Sequence, residues 1–172
     1  MSTDFKPHIY DVPDFPKKGI GFKDITPLLS DAKVFAAAID ALAAPFTGSG
    51  IQIVAGIESR GFLLATPIAY RLGAGVVPIR KKGKLPRAVK SASYALEYGM
   101  DTIEAHADAF PKGVKVLLVD DVLATGGTAA AAVQLIEDIG GTLAGTAFLI
   151  ELGFLNGRTK LPGRKIHSLV TY

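Results

Sequence analysis

The sequence predicts an α/β domain with a mainly parallel, twisted sheet flanked by helices. Three observations carry that prediction. Short apolar runs at 51–55, 75–79 and 116–119 read as buried strands, and two more strands fall near 144–151 and at 166–171. Segments with apolar residues at helical spacing separate several of these strands, and strand–helix alternation of this kind favours parallel pairing. The chain has 172 residues, 49% hydrophobic and 20% charged, enough for one domain with a full core. In such sheets ligands bind beyond the carboxyl ends of the strands.

Taken in order, residues 1–30 are rich in proline and lysine with poor periodicity, and read as a capping segment more than a core element. Asp31 can cap a helix over 32–44, where Val34, Phe35, Ile39 and Leu42 fall at helical spacing. A strand at 51–55, a turn, a helix over 61–72 and a strand at 75–79 follow. Residues 80–92 are basic and loop-like, and 93–105 contain short segments able to pair as a hairpin. Cysteine is absent, which rules out a disulfide framework and thiolate chemistry and suits a reducing cytoplasm. The N-terminus shows no apolar signal segment and no apolar stretch approaches membrane-spanning length, so no membrane role is expected. A net charge of +3 suits anionic ligands and is too weak to imply nucleic acid.

Residues 115–139 carry the most chemistry. The apolar run ending at Val119 leads into two adjacent carboxylates, Asp120 and Asp121, then the loop Ala124-Thr125-Gly126-Gly127-Thr128, then an alanine-rich helix. A strand–loop–helix aims backbone N–H groups and a helix N-terminus at one point, which makes an anion site. Two acids beside it make sense if the ligand also carries hydroxyls or a metal ion, as a phosphorylated sugar does. No Lys-Ser/Thr pair follows the glycines and there is no G-x-G-x-x-G, so neither a nucleoside-triphosphate loop nor a dinucleotide fold is indicated.

Residues 53–73 repeat the same logic, with Arg60 and Gly61 where a helix should begin, and read as the site of a second, diphosphate anion. Ser59 lacks the glycine two residues earlier that a hydrolase elbow requires, because that position is Ile57. Arg80, Lys81, Lys82, Lys84, Arg87 and Lys90 crowd one stretch without the aromatic interleaving of a base-stacking surface, so diphosphate neutralisation explains them better than nucleic acid. His8, His106 and His167 show no ligand spacing, so no protein-held zinc site is expected, and any metal should be Mg²⁺ carried by the diphosphate.

The stretches 14–29, 55–63, 79–86, 93–99, 117–128 and 148–158 together resemble the type I phosphoribosyltransferases and, within them, the adenine phosphoribosyltransferases. The resemblance implies a single domain over 1–172: a hood mainly in 1–30, a core over 31–172 and a mobile flap around 81–105. It implies transfer from 5-phosphoribosyl-1-pyrophosphate (PRPP) to adenine, giving AMP and diphosphate in purine salvage, by a cytoplasmic homodimer. Ala124, Thr125, Gly126, Gly127 and Thr128 would hold the 5-phosphate, and Asp120 and Asp121 the ribose hydroxyls. Ser59, Arg60, Arg80 and Lys84 would bind diphosphate, beside a cis Glu58–Ser59 peptide. Phe22 and Val122 would sandwich the base while the main chain of Gly21 and Lys23 reads its edge. Glu97 would be the catalytic acid/base. Many relatives have Val and Arg at the positions of Gly21 and Lys23. A 6-oxopurine phosphoribosyltransferase and a non-catalytic PRPP-binding regulator remain as alternatives.

Overall fold

The fold is described from a computed structural model over residues 4–96 and 99–172. A small antiparallel sheet of β1 (Tyr10–Val12) and β2 (Phe22–Asp24) precedes helices α1 (Thr26–Ser30) and α2 (Ala32–Ala43). Asp31 caps α2 as its sequence position implies, accepting from the N–H groups of Lys33 and Val34 at 2.9 and 3.1 Å. Then come β3 (Ile53–Ile57), α3 (Arg60–Leu72), β4 (Gly75–Lys81), the hairpin β5 (Val89–Leu96) and β6 (Gly99–His106), β7 (Lys115–Leu123), α4 (Gly127–Ile139), β8 (Thr142–Glu151) and β9 (Ile166–Thr171).

The main sheet has seven strands in the order β5-β6-β4-β3-β7-β8-β9. Its five central and distal strands are parallel, and the β5–β6 hairpin joins antiparallel at the β4 edge through Arg80↔Glu104 and Lys81↔Ile103. From β3 the chain winds outward to β4, and from β7 it winds the other way to β8. The adjacent pair β3–β7 is therefore the topological switch point, where the two following loops part and leave a crevice. One core layer packs α2 and α3 on one face of the sheet, with Leu42, Leu64, Ile68, Leu117 and Val119 at its centre. The other packs α4 on the opposite face around Leu118, Leu135, Ile136 and Phe148. The seam of β7, alternating between these layers, is buried on both faces, which is why its run is continuously apolar.

Three expectations need correction. The first strand begins at Ile53, not Ile51: Ile51 is buried but enters no pairing, so burial mimicked strand character. Residues 80–92 are not one loop, since β4 runs to Lys81 and β5 starts at Val89; Lys82, Lys84 and Arg87 lie exposed in the connection between them. The N-terminal segment contributes to the core, because Ile25 and Leu28 are wholly buried. Their apolar contacts pack α1 onto α2 and anchor the small sheet above the crevice.

Candidate active site

The turns after β3 and β7 open side by side at the switch point. Their closeness depends on Gly61 in the first turn of α3. A Cβ there would lie 2.8 Å from Asp120 Oδ1 and 3.1 Å from the Val119 carbonyl, so only glycine lets α3 approach the end of β7. The loop from Leu123 to Ala129, with Asp120 and Val122, lines a pocket of about 60 Å³. Gly126 takes a left-handed conformation (φ 82°) ahead of α4 and its carbonyl accepts from Ala130 N–H at 2.9 Å. The loop carries no charged side chain, so what it offers an anion is main-chain N–H, the helix terminus and the Thr125 and Thr128 hydroxyls.

The acids differ from each other. Asp121 is nearly buried, and Arg60 Nε lies 2.6 Å from its Oδ2. Asp120 accepts from the Asp121 N–H at 2.9 Å. Its carboxyl is pushed well above the ordinary carboxylate range, chiefly by burial and then by the Asp121 charge.

Arg60 is the junction of the site. Besides Asp121, its guanidinium lies 4.5 Å from the centre of the Phe22 ring and donates to the Lys23 carbonyl at 3.3 Å. Phe22 also meets the edge of Phe15, with centroids 5.0 Å apart. The Lys23 ammonium is held elsewhere, 2.8 Å from Asp11 and 3.9 Å from the Tyr172 ring centre, so only the Lys23 main chain reaches Arg60. Gly21 is exposed beside them.

The second anion region has its own order. The Glu58–Ser59 peptide is cis, and Ser59 stands exposed before α3 without capping it. Glu58 accepts from Lys81 N–H at 2.9 Å and pairs with Arg80 Nε at 3.2 Å. Its pKa is lowered first by the Lys81 N–H and also by Arg80, against the opposing effect of burial. Arg80 further donates to the Lys84 carbonyl at 3.3 Å, and buried Glu104 takes Gly83 N–H at 2.9 Å, so the turn bearing exposed Lys84 is tied at both ends. Glu58 and Glu104 were not legible as site residues. Their partners lie 23 and 21 positions away and meet them only through strand register.

The β5 strand lies against the loop of residues 124–128. Tyr94 on β5 packs against Gly127, and its hydroxyl is 3.1 Å from Asp101 Oδ2. Burial raises the pKa of that phenol, opposed by a hydrogen bond with Thr128. Lys90 of the same strand donates to the Asp138 carbonyl on α4. Glu97 lies outside the described residues.

The phosphoribosyl transferase domain matches residues 28–166.

The chain belongs to the phosphoribosyl transferase family.

This phosphoribosyltransferase is 56% identical over 175 residues to an adenine phosphoribosyltransferase of Thermobifida fusca, covering 99% of each chain. It superimposes on the crystal structure of the Thermoanaerobacter pseudethanolicus adenine phosphoribosyltransferase with a TM-score of 0.95, at 52% identity and 98% coverage of each. The Saccharomyces cerevisiae enzyme, solved with an imino-altritol bisphosphate and adenine, gives a TM-score of 0.90 at 41% identity over 96% of each chain. The α/β fold with its mainly parallel sheet is thus the type I phosphoribosyltransferase fold.

Proposed function

We propose that this phosphoribosyltransferase transfers the 5-phosphoribosyl group of PRPP to adenine, releasing AMP and diphosphate. The relatives named above act as adenine enzymes, and the yeast structure contains adenine. The observation that carries the reading within this chain is the convergence on Arg60, which joins the hood (Phe22, Lys23), the acid pair (Asp121) and the first turn of α3. Base, ribose and diphosphate subsites therefore share one wall.

In this reading the loop 124–128 holds the 5-phosphate, and Asp120 and Asp121 hold the ribose hydroxyls. Ser59, Arg60, Arg80 and Lys84 receive the diphosphate. The bond from the anomeric carbon to diphosphate oxygen breaks and its electron pair leaves with diphosphate. The carbon becomes oxocarbenium-like, and adenine N9 attacks the opposite face. Cationic side chains stabilise the leaving charge, so positioning and electrostatics carry most of the rate. Glu97 takes the proton that N9 loses, an assignment resting on the family resemblance. Among the described residues no three or more His, Cys, Asp or Glu side chains are grouped to hold a metal ion. A donor set limited to Asp120 and Asp121 fits Mg²⁺ bound mainly by substrate phosphates, where it would neutralise the leaving diphosphate. A flap over the loop excludes water from a reactive intermediate.

Adenine is read between Phe22 and Val122, with Gly21 and Lys23 presenting main-chain groups to its edge. Adenine offers an N6 donor beside an N1 acceptor, and 6-oxopurines offer the reverse order. The wrong base leaves buried groups unpaired at about 1–3 kcal/mol each. The test is kcat/KM for adenine, hypoxanthine and guanine at saturating PRPP and Mg²⁺. Adenine should win by roughly 10⁴-fold, the discrimination that hydrogen-bond readout supports. Agreement within tenfold would favour a 6-oxopurine enzyme, and no diphosphate release with any base would favour a regulator. Glu97→Gln should lower kcat by roughly 10²–10⁴-fold with little change in PRPP binding; near-normal turnover would remove Glu97 from that role.

An apolar groove of about 710 Å³ between α1, α2 and α3, lined by Phe35, Phe62, Leu63, Pro67 and Tyr70, supports assembly as a homodimer. Tyr70 is 90% exposed and Leu63 51% exposed there, apolar side chains that a second copy would cover. The cysteine-free composition supports a reducing, cytoplasmic setting.

A further inference from the structure

The stretch 148–158 marks the family, yet none of the roles above uses its last residues. Their place in the fold supplies one. Main-chain groups alone fix the directions of the loop N–H bonds, so something must hold that main chain from behind. Gly157, buried, does so. A Cβ on Gly126 would collide with the Gly157 carbonyl, and a Cβ on Gly157 would collide with the Ala124 carbonyl and stand 3.1 Å from Gly126 N. The two backbones meet glycine to glycine. The turn that brings Gly157 there begins at Asn156, in a left-handed conformation (φ 52°), and is fastened on its far side by Arg158. Arg158 grips Glu151 with two bonds, Nε to Oε1 and Nη2 to Oε2, both 2.6 Å.

Glu151 ends β8 directly opposite Leu123, the residue where β7 gives way to the loop. The next residue, Leu152, donates to the Leu123 carbonyl at 2.9 Å. The Glu151 carboxylate is only 8% exposed, and the Arg158 hydrogen bonds hold its pKa below the ordinary value against burial. Neither side chain lines the loop pocket, which is formed by Asp120, Val122 and residues 123–129.

We propose that Glu151 and Arg158 are positioning residues for the phosphate loop. Their ion pair presses the Gly157 main chain against Gly126 and so sets affinity for the 5-phosphate without touching it. This rests on reading loop 124–128 as the 5-phosphate cradle. The ion pair acts on that end of the substrate alone, because the diphosphate region hangs on β3 and β4 on the other side of β7.

The test compares AMP with adenosine, which differ only in the 5-phosphate, by calorimetry on wild type, Glu151→Gln and Arg158→Lys. Wild type should bind AMP far more tightly than adenosine. Each folded variant should lose about tenfold in AMP affinity, the effect of one lost charged hydrogen bond, while adenosine and inorganic diphosphate stay within twofold. KM for PRPP should rise by a similar factor with kcat at saturation nearly unchanged. The double variant should be no worse than the worse single one, because both remove the same link. Unchanged AMP affinity, or equal losses for AMP, adenosine and diphosphate, overturns the proposal. Wild type binding AMP no more tightly than adenosine would overturn the cradle reading itself, and the positioning role with it. Arg158, with half its side chain exposed, keeps the comparison available should Glu151→Gln fail to fold.

Discussion

Beyond β7 an anion is offered main-chain N–H groups, a helix terminus and two hydroxyls. Beyond β3 and β4 it is offered two guanidinium groups, each already paired with a carboxylate: Arg60 with Asp121 at 2.6 Å and Arg80 with Glu58 at 3.2 Å. The first region is preorganised, since its donors have no competing partner charge and its backbone is packed from behind by Gly157. The second must share or exchange partners, so its net gain is the difference between a phosphate oxygen and a carboxylate oxygen. The 5-phosphate is present in substrate and product alike, whereas diphosphate must be held and then released. On the proposed assignment, a rigid cradle suits the constant group, and exchangeable ion pairs suit the group that leaves.

Substitutions can break this contrast. The largest effect should come from Gly126→Ala, which adds a Cβ at positive φ against the Gly157 carbonyl. Displacing the cradle by a fraction of an ångström to an ångström should lower kcat/KM for PRPP by about 10²-fold or more. AMP affinity should fall in parallel, read by calorimetry, because on the proposed assignment every 5-phosphorylated ligand uses the loop. Selective loss for diphosphate would mean that the two regions are assigned the wrong way round.

Arg60→Ala should be gentler and selective. Loss of a charge-assisted interaction, about 1.5–3 kcal/mol, weakens PRPP and diphosphate by roughly tenfold to hundredfold. AMP, without diphosphate, should change by less than about threefold. Equal losses for AMP and diphosphate on folded protein would make Arg60 a structural tie between Asp121 and the hood.

The smallest effects concern stability, and the acids of the two regions should respond to pH with opposite signs. Asp120 has a raised pKa, so the native state keeps a proton that the unfolded chain has released. Stability therefore falls as pH rises from the model-peptide value of 3.8 through the raised value. Asp120→Asn, fixed in the neutral form, should raise Tm at neutral pH by an amount on the order of 2–4 °C, with the gain vanishing in acid. Glu58 has a lowered pKa, and its contribution is present above 4.5 and lost as pH falls through the folded value. Glu58→Gln should lower Tm at neutral pH, with the difference closing in acid. Thermal melts of both variants across pH 3–8 give the comparison, and parallel curves would erase it.

How legible each region was follows from the same contrast. The cradle lies within one continuous stretch: an apolar strand, two acids, two glycines and a helix, all local in sequence. Its backing by Gly157 was not legible, because it depends on β8 returning beside β7. The helix over 32–44 could be read from the Asp31 cap and its apolar spacing, and the structure ends it one residue earlier, at Ala43. The arginine region was readable only as a crowd of charges. Which acid each arginine meets is decided by the pairing of β3 with β4 and β7, which brings Glu58 to Arg80 across 22 positions. The hood hid its core role because Ile25, Leu28 and Leu29 fall at helical spacing only across a single short turn interrupted by Pro27, too brief to announce burial.

The hood is a two-stranded sheet of its own and, among the described residues, shares no strand pairing with the seven-stranded sheet. It meets the machinery below through the ring of Phe22 and the carbonyl of Lys23, both against Arg60. On the proposed assignment, the base is met largely by this separate small sheet and the sugar phosphate by the seven-stranded one. For an engineer the same boundary would be a graft line: on that assignment, exchanging residues 10–24 together with Val122 should alter the acceptor that is recognised and leave the donor chemistry on the scaffold beneath.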